Sequence, residues 1–218
     1  AECVRAMQGE TDRPVPVKCR IGIDDMDVME GLNQFVDAQA EAGVKIIYLH
    51  ARKAWLNGLS PKENREVPPL DYGRAGKLAA DYPDLDIILN GGLETLEDIQ
   101  SAAAAGLFSG VMIGRSAYKT PRQLGTISSA LFGHDMRPLL DIAQQMSDYA
   151  EKEIEKGVRL HNITRHMLGL FTGLRGARTW RRTLGEQARD NPEAAALIAQ
   201  TAQTCLALQD KNSNRKVA

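Results

Sequence analysis

Four short polar clusters hold the side chains best suited to chemistry. Lys18 and Arg20 alternate near the end of an apolar run, VPVKCRIG, so strand periodicity places both cations on one face. His50 closes the run VKIIYLH, Asn90-Gly91-Gly92 closes LDIILN, and Gly114-Arg115 closes GVMIG. Taken singly, each has an ordinary explanation: a solvated lysine, a packed histidine, a turn. Together they point to a ligand rather than to four coincidences. Glycine turns leave backbone N–H groups open, and a helix starting after Gly114 would add its dipole, which makes a cradle for an anion such as phosphate.

Two further stretches suit nucleic acid. After His50 the segment ARKAWLNGLSPKENREVPPLD stays irregular for about twenty residues, a length that compact domains seldom keep unless the loop binds something or is disordered. It carries Arg52, Lys53, Lys62 and Arg65 against two glutamates, Glu63 and Glu66. Between Val158 and Gly185 there are six arginines (159, 165, 175, 178, 181 and 182) and no lysine, aspartate or glutamate. Arginine in preference to lysine suits phosphate gripped by a planar fork. His161 and His166, five apart, do not suit a metal site and are read as packing or phosphate contacts.

The elements that must position these residues follow from periodicity. Strands are predicted near residues 15–21, 44–50, 85–90 and 110–113, and helices over 26–42, 72–81 and 96–105, with Asp24 or Asp25 capping the first helix. Continuous apolar strands separated by helices predict a parallel sheet buried on both faces. Ligands in such α/β folds lie beyond the carboxyl ends of the strands. In an eight-unit (β/α)8 barrel a phosphate commonly sits on the loops after strands seven and eight. If the NGG and GR turns are those loops, the strands present are five to eight. The fold class is therefore α/β, the C-terminal half of a TIM barrel over residues 1–132. An all-helical domain is expected over 133–210 (helices near 137–156, 158–171, 178–189 and 192–209) and a frayed tail over 211–218.

The bulk numbers are compatible with this. The chain has 218 residues, is 43% hydrophobic and 25% charged, and carries a formal net charge of −1, which excludes a uniformly basic nucleic-acid binder but not local patches. Its three cysteines (Cys3, Cys19, Cys205) are far apart and show no metal-ligand spacing, so a reduced cytoplasmic setting, no metal and no membrane span are expected.

KCRIGIDD, HARKAWLNGLSPKENREVPPLDY, NGG, GVMIGRSAY and RHMLGLFTGLRGARTWRR together resemble the tRNA-dihydrouridine synthases, and within them the A subfamily. The resemblance implies a flavin barrel with a C-terminal helical domain, in which NADPH reduces bound FMN. The flavin passes hydride to C6 of a D-loop uridine while a cysteine protonates C5. By matching position it implies that Lys18 and His50 contact the flavin, and that Asn90, Gly91, Gly92, Gly114 and Arg115 hold its phosphate end. It likewise implies that Lys62 and Arg65 in the loop, and Arg178 and Arg181 in the helical domain, touch tRNA.

The family's catalytic cysteine lies in an NxGCP segment that this sequence does not contain, so no catalytic residue is assigned and the chain alone is expected to be inactive. Cys19 is no substitute, because its parity is opposite to that of Lys18 and Arg20 and points it at the helix layer. Full-length members are expected to be mostly monomeric, and this chain to self-associate through exposed strand edges. Two alternatives stay open: a non-catalytic RNA-binding half-barrel, and another FMN barrel acting on a small metabolite.

Overall fold

The computed structural model describes residues 1–213 and divides the chain into two compact units, Ala1–Gly114 and Arg115–Ala218. In the first, α1 (Glu2–Gly9) precedes the alternation β1 (Val17–Arg20), α2 (Glu30–Glu41), β2 (Ile46–His50), α3 (Tyr72–Asp81), β3 (Asp86–Asn90), α4 (Leu96–Ala104) and β4 (Gly110–Met112). All neighbouring strands are parallel, in the order β1-β2-β3-β4. The expected topology is therefore observed.

The register explains why polar residues collect on one face. Val17 pairs with Ile47 and Ile47 with Ile87, while Cys19, Leu49, Leu89 and Val111 form the next row on that face. Ile47, Leu49, Ile87 and Leu89 are buried and pack with Leu32, Val36, Leu78 and Ala79 from the helices. Side chains alternate along a strand, so Lys18, Tyr48 and Ile88, then Arg20, His50, Asn90 and Met112, form two rows on the opposite face.

Helix starts follow local capping chemistry. Asp71 accepts a hydrogen bond from the Arg74 backbone N–H at 2.8 Å and opens α3. Thr95 and Asp98 form a reciprocal capping box on α4, and the backbone N–H groups of Glu94 and Thr95 hold the Asp98 carboxyl below the usual carboxylate range. The predicted cap of α2 is corrected. Neither Asp24 nor Asp25 performs it; Asp27 accepts from the N–H groups of Met29 (2.6 Å) and Glu30 (3.1 Å), and the helix begins four residues later than expected. Asp24 instead accepts from the Leu56 N–H at 2.8 Å and so fastens the long loop.

The second unit contains α5 (Arg115–Lys119), α6 (Arg122–Phe132), α7 (Leu139–Glu155), α8 (Leu160–Thr164), α9 (Ala177–Arg182), a π-helical segment (Thr183–Gln187), α10 (Ala188–Asp190) and α11 (Leu197–Ser213). The compact units divide after β4, so α5 and α6 fall in the second unit, whereas the sequence analysis drew the domain boundary at 132/133. Tyr118 of α5 shares a 2.8 Å hydrogen bond with His166, and Gly169 presses against the Lys119 carbonyl. The continuous helix expected over 158–171 is not found. After Thr164 the chain runs in tight turns closed by bonds such as His166 N–H to Ile163 O and Leu170 N–H to Met167 O, and Gly173 and Gly176 adopt positive φ. Residues 211–213, placed in a tail by the sequence analysis, continue α11; 214–218 lie outside the described residues. The core of this unit is built on Phe171 and Trp180, with ring centroids 4.6 Å apart and the indole N–H donated to Met167 O at 2.8 Å.

A side chain on Gly169 would place its Cβ 2.1 Å from the Lys119 carbonyl oxygen. Backbone cannot retreat as a flexible side chain can, so Gly169→Ala should destabilise the second unit by about 1–3 kcal/mol, the range of other overpacking changes. Thermal unfolding followed by circular dichroism tests this; an unchanged melting temperature would mean that the two backbones do not meet.

Candidate functional site: the carboxyl ends of the strands

The level row Arg20-His50-Asn90-Met112 defines the rim of the first unit. Lys18 is level with Tyr48 and Ile88, one layer below His50, because β1 meets β2 with Arg20 opposite His50. Gly114 lies two residues beyond the end of β4. The sequence analysis treated Lys18, His50, Asn90 and Gly114 as one rim; they occupy one end of the sheet at stepped depths.

Asn90 is buried and donates its amide to the Met112 carbonyl at 2.7 Å, which ties the ends of β3 and β4 together. Gly91 and Gly92 follow with φ of +108° and +70°, a region that side chains rarely adopt. Space excludes a side chain there too. A Cβ at Gly91 would meet His50 Cε1 at 3.2 Å, and one at Gly92 would meet Leu70 Cδ1 at 2.5 Å and the Tyr72 hydroxyl at 2.9 Å. The Tyr72 hydroxyl donates to the Gly91 carbonyl at 2.6 Å, fixing the turn from the side of α3. Burial, with a smaller contribution from the Asp98 charge, raises the Tyr72 phenol above its ordinary value, which keeps it a donor.

The cations of this rim act on one another. Burial, then the charges of Arg52 and Arg65, lowers the Arg20 pKa; partial burial and the charge of Arg20 lower that of Lys18. No carboxylate is among the groups acting on either cation. Arg20 donates to two loop carbonyls, Lys53 O and Asn64 O, both at 2.8 Å. Arg52 donates to Pro68 O, while its Nε is buried without a protein hydrogen-bond partner. Cations that lower one another's pKa, beside glycine turns, suit an anionic, electron-rich ligand.

The loop after β2 is ordered by this same set of contacts. A parallel bridge joins Ile23 to Ala54, Asn64 holds Trp55 through both its backbone groups, and a 3-10 turn runs Glu63–Arg65. Lys62 and Arg65 are exposed on that turn. In the second unit Arg178 and Arg181 are exposed on α9, three residues apart. Arg115 begins α5 directly after Gly114. Sequence reasoning placed Arg20 beside Lys18 at the strand ends without giving it a role, and did not single out Tyr72. Tyr72 ends the NREVPPLDY string, and its position one residue after a helix-capping aspartate was the available signal.

Cys19 lies on the helix-facing side of β1, in a pocket of about 450 Å³ with Leu32 and Phe35 of α2. Burial pushes its thiol up to about 11, so it is protonated and unreactive at neutral pH. Among the described residues no group of three or more His, Cys, Asp or Glu could hold a metal ion, and no helix is long and apolar enough to cross a membrane.

The first unit is a parallel α/β unit with a glycine turn at its strand ends, and the second is a helical unit bearing exposed arginines. The chain belongs to the dihydrouridine synthase family, whose model matches residues 1–207. It is 49% identical over 190 residues to the tRNA-dihydrouridine(20/20a) synthase of Pasteurella multocida (86% of this chain, 58% of the relative). It is 47% identical over 214 residues to that of Shewanella oneidensis (96% and 63%). The chain thus spans about 58 to 63% of the length of these relatives. Among solved structures, mandelate oxidase with (S)-2-phenylpropionate covers 94% of this chain and 67% of its own at 15% identity and a TM-score of 0.40, too weak a likeness to bear on chemistry.

Tyr72→Phe removes the donor that holds Gly91 O, a neutral hydrogen bond worth about 1 kcal/mol. The melting temperature should fall by a few degrees; an unchanged value would show that the turn does not need this tie. Separately, at pH 8 a thiol reagent should label exposed Cys3 rapidly and Cys19 only on unfolding. The raised Cys19 pKa also means that native stability is complete below about pH 9 and declines as pH rises toward 11, where the unfolded chain loses this proton first.

Proposed function

We propose that this chain supplies the flavin-cradling and tRNA-contacting part of a tRNA-dihydrouridine synthase, a flavoenzyme that uses NADPH to reduce D-loop uridines. In this reading its four βα units are the last four of an eight-unit barrel. The observation that carries the reading is the rim itself: Arg20, His50 and Asn90 level with one another, against a turn at Gly91 and Gly92 that has room for no side chain. The gathering of Arg20 with Arg52 and the buried Nε of Arg52 fit an anionic cofactor.

FMN, when bound, would supply the hydride. The chain's own residues bind and orient. Backbone N–H groups at Gly91, Gly92 and Gly114, with Arg115, would hold the phosphate; Lys18 and His50 would face the ring system from different depths. Lys18, with its lowered pKa, is suited to donating a hydrogen bond to an electron-rich acceptor. Lys62 and Arg65 are exposed on a loop whose base is fixed, so they are placed to contact RNA without disturbing the rim. Arg178 and Arg181 would add contacts from the helical unit. In the cytoplasm, a complete protein of this kind would act as a monomer, with further strands covering the edges at β1 and β4.

In the complete protein, Arg65→Ala or Lys62→Ala should weaken tRNA use about tenfold and flatten the salt dependence of tRNA binding by about one phosphate contact, at unchanged FMN content. His50→Ala should lower flavin retention or reactivity. Loss of flavin from Arg65→Ala with tRNA affinity and salt slope intact would assign the loop to the cofactor and overturn the division of roles.

A further inference from the structure

A second cationic site lies wholly within the helical unit, and none of Lys62, Arg65, Arg178 or Arg181 takes part in it. Tyr118, His161, Arg165 and Arg189 line an open pocket of about 530 Å³ whose remaining walls are Leu168, Leu184 and Gly185. None of these seven residues is acidic. Arg165 and Arg189 are exposed, and neither guanidinium has a hydrogen bond or ion pair among the described residues. They come from separate segments: Arg165 follows α8, and Arg189 lies in α10.

What brings them to one pocket is the π-helical segment Thr183–Gln187 between α9 and α10. A π-helical turn displaces carbonyls from their usual i→i+4 partners, and such turns are rare and often found at functional sites. Here the Leu184 carbonyl accepts from the buried Thr164 hydroxyl at 2.9 Å, which locks the segment onto α8 just before Arg165. Gly185 sits in the middle of the segment. Its φ is not positive, and a Cβ there would meet nothing within 4 Å, so neither backbone conformation nor packing requires a glycine. A glycine normally weakens a helical segment. Here it lines the pocket and presents no side chain to it.

We infer that this pocket, Arg165 and Arg189 with His161 over the open floor at Gly185, binds a phosphodiester group of the RNA backbone. Two guanidiniums with no protein partner and a neighbouring imidazole match the oxygens of a phosphate, and Tyr118 and Leu168 offer contact to the attached sugar. Contacts of this kind position RNA without reading its sequence. The inference rests on the proposed tRNA substrate and extends it to a site of its own.

The test measures binding of labelled tRNA to the complete protein across a salt series. Arg165→Gln and Arg189→Gln should each lower affinity about tenfold and reduce the slope of log K against log salt by about one. Gly185→Leu changes no charge; it should lower affinity comparably while leaving the melting temperature unchanged or raised. Wild-type affinity and slope in the two arginine variants, with tRNA bound normally by the parent, would overturn the pocket alone. Failure of the parent to bind tRNA would overturn the proposed function and the pocket with it. Titration with inorganic phosphate separates the other source of the same chemistry: loss of phosphate binding in the arginine variants with tRNA binding intact would make this a small-anion site and overturn the RNA assignment.

Discussion

The guanidinium of Arg20 is the tie on which the strand-end site depends. One nitrogen donates to Lys53 O and Asn64 O, eleven residues apart on the loop that follows β2. A single side chain at the end of β1 thereby sets both the start of that loop and its 3-10 turn. Hydrogen bonds from charged donors are worth about 1.5–3 kcal/mol each when shielded from water, less at a half-exposed position such as this. Arg20 stays charged in spite of burial and two neighbouring arginines, and the two carbonyl dipoles offset part of that cost. The same arrangement that orders the loop gathers Arg20, Arg52 and Arg65 at one end of the sheet.

A comparable economy holds at α3. Arg74 is buried and reaches Val28 O at 2.7 Å and the Asn33 side chain at 2.5 Å, so the start of α2 is held by a residue of α3. Tyr72, two residues earlier, reaches the other way to Gly91. The first turn of one helix thus positions the preceding helix and the glycine turn together, and its own start is set by Asp71.

Much of this was legible in the sequence where local chemistry and tertiary structure agree. Continuous apolar runs gave parallel strands, and the rim residues fell at their ends. The failures share a cause: side chains recruited by distant partners. Asp24 looks like a helix cap, yet Leu56 takes its carboxylate, and Asp27 caps instead. The run from 158 to 171 has helical periodicity, but Gly169 must pass close to Lys119 and the turns that follow tighten around it. The grouping of α5 with the helical unit could not be read, because it rests on contacts such as Tyr118 with His166, 48 residues apart. The pocket beside Gly185 was hinted at by His161 and Arg165, but Arg189 was not, because no sequence pattern announces a π-helical turn.

The two tryptophans divide between the two units, one in each environment a fluorescence experiment can distinguish. Trp180 is fully buried against Phe171, whereas Trp55 is 36% exposed on the basic loop, its backbone clasped by Asn64. Emission from the first reports the helical core and is shielded from dissolved quenchers; emission from the second reports the lip of the strand-end site and is open to them. Nature has given this chain one optical probe for each half, so the order in which the halves assemble, and the moment the lip becomes covered, can be followed without attaching a label.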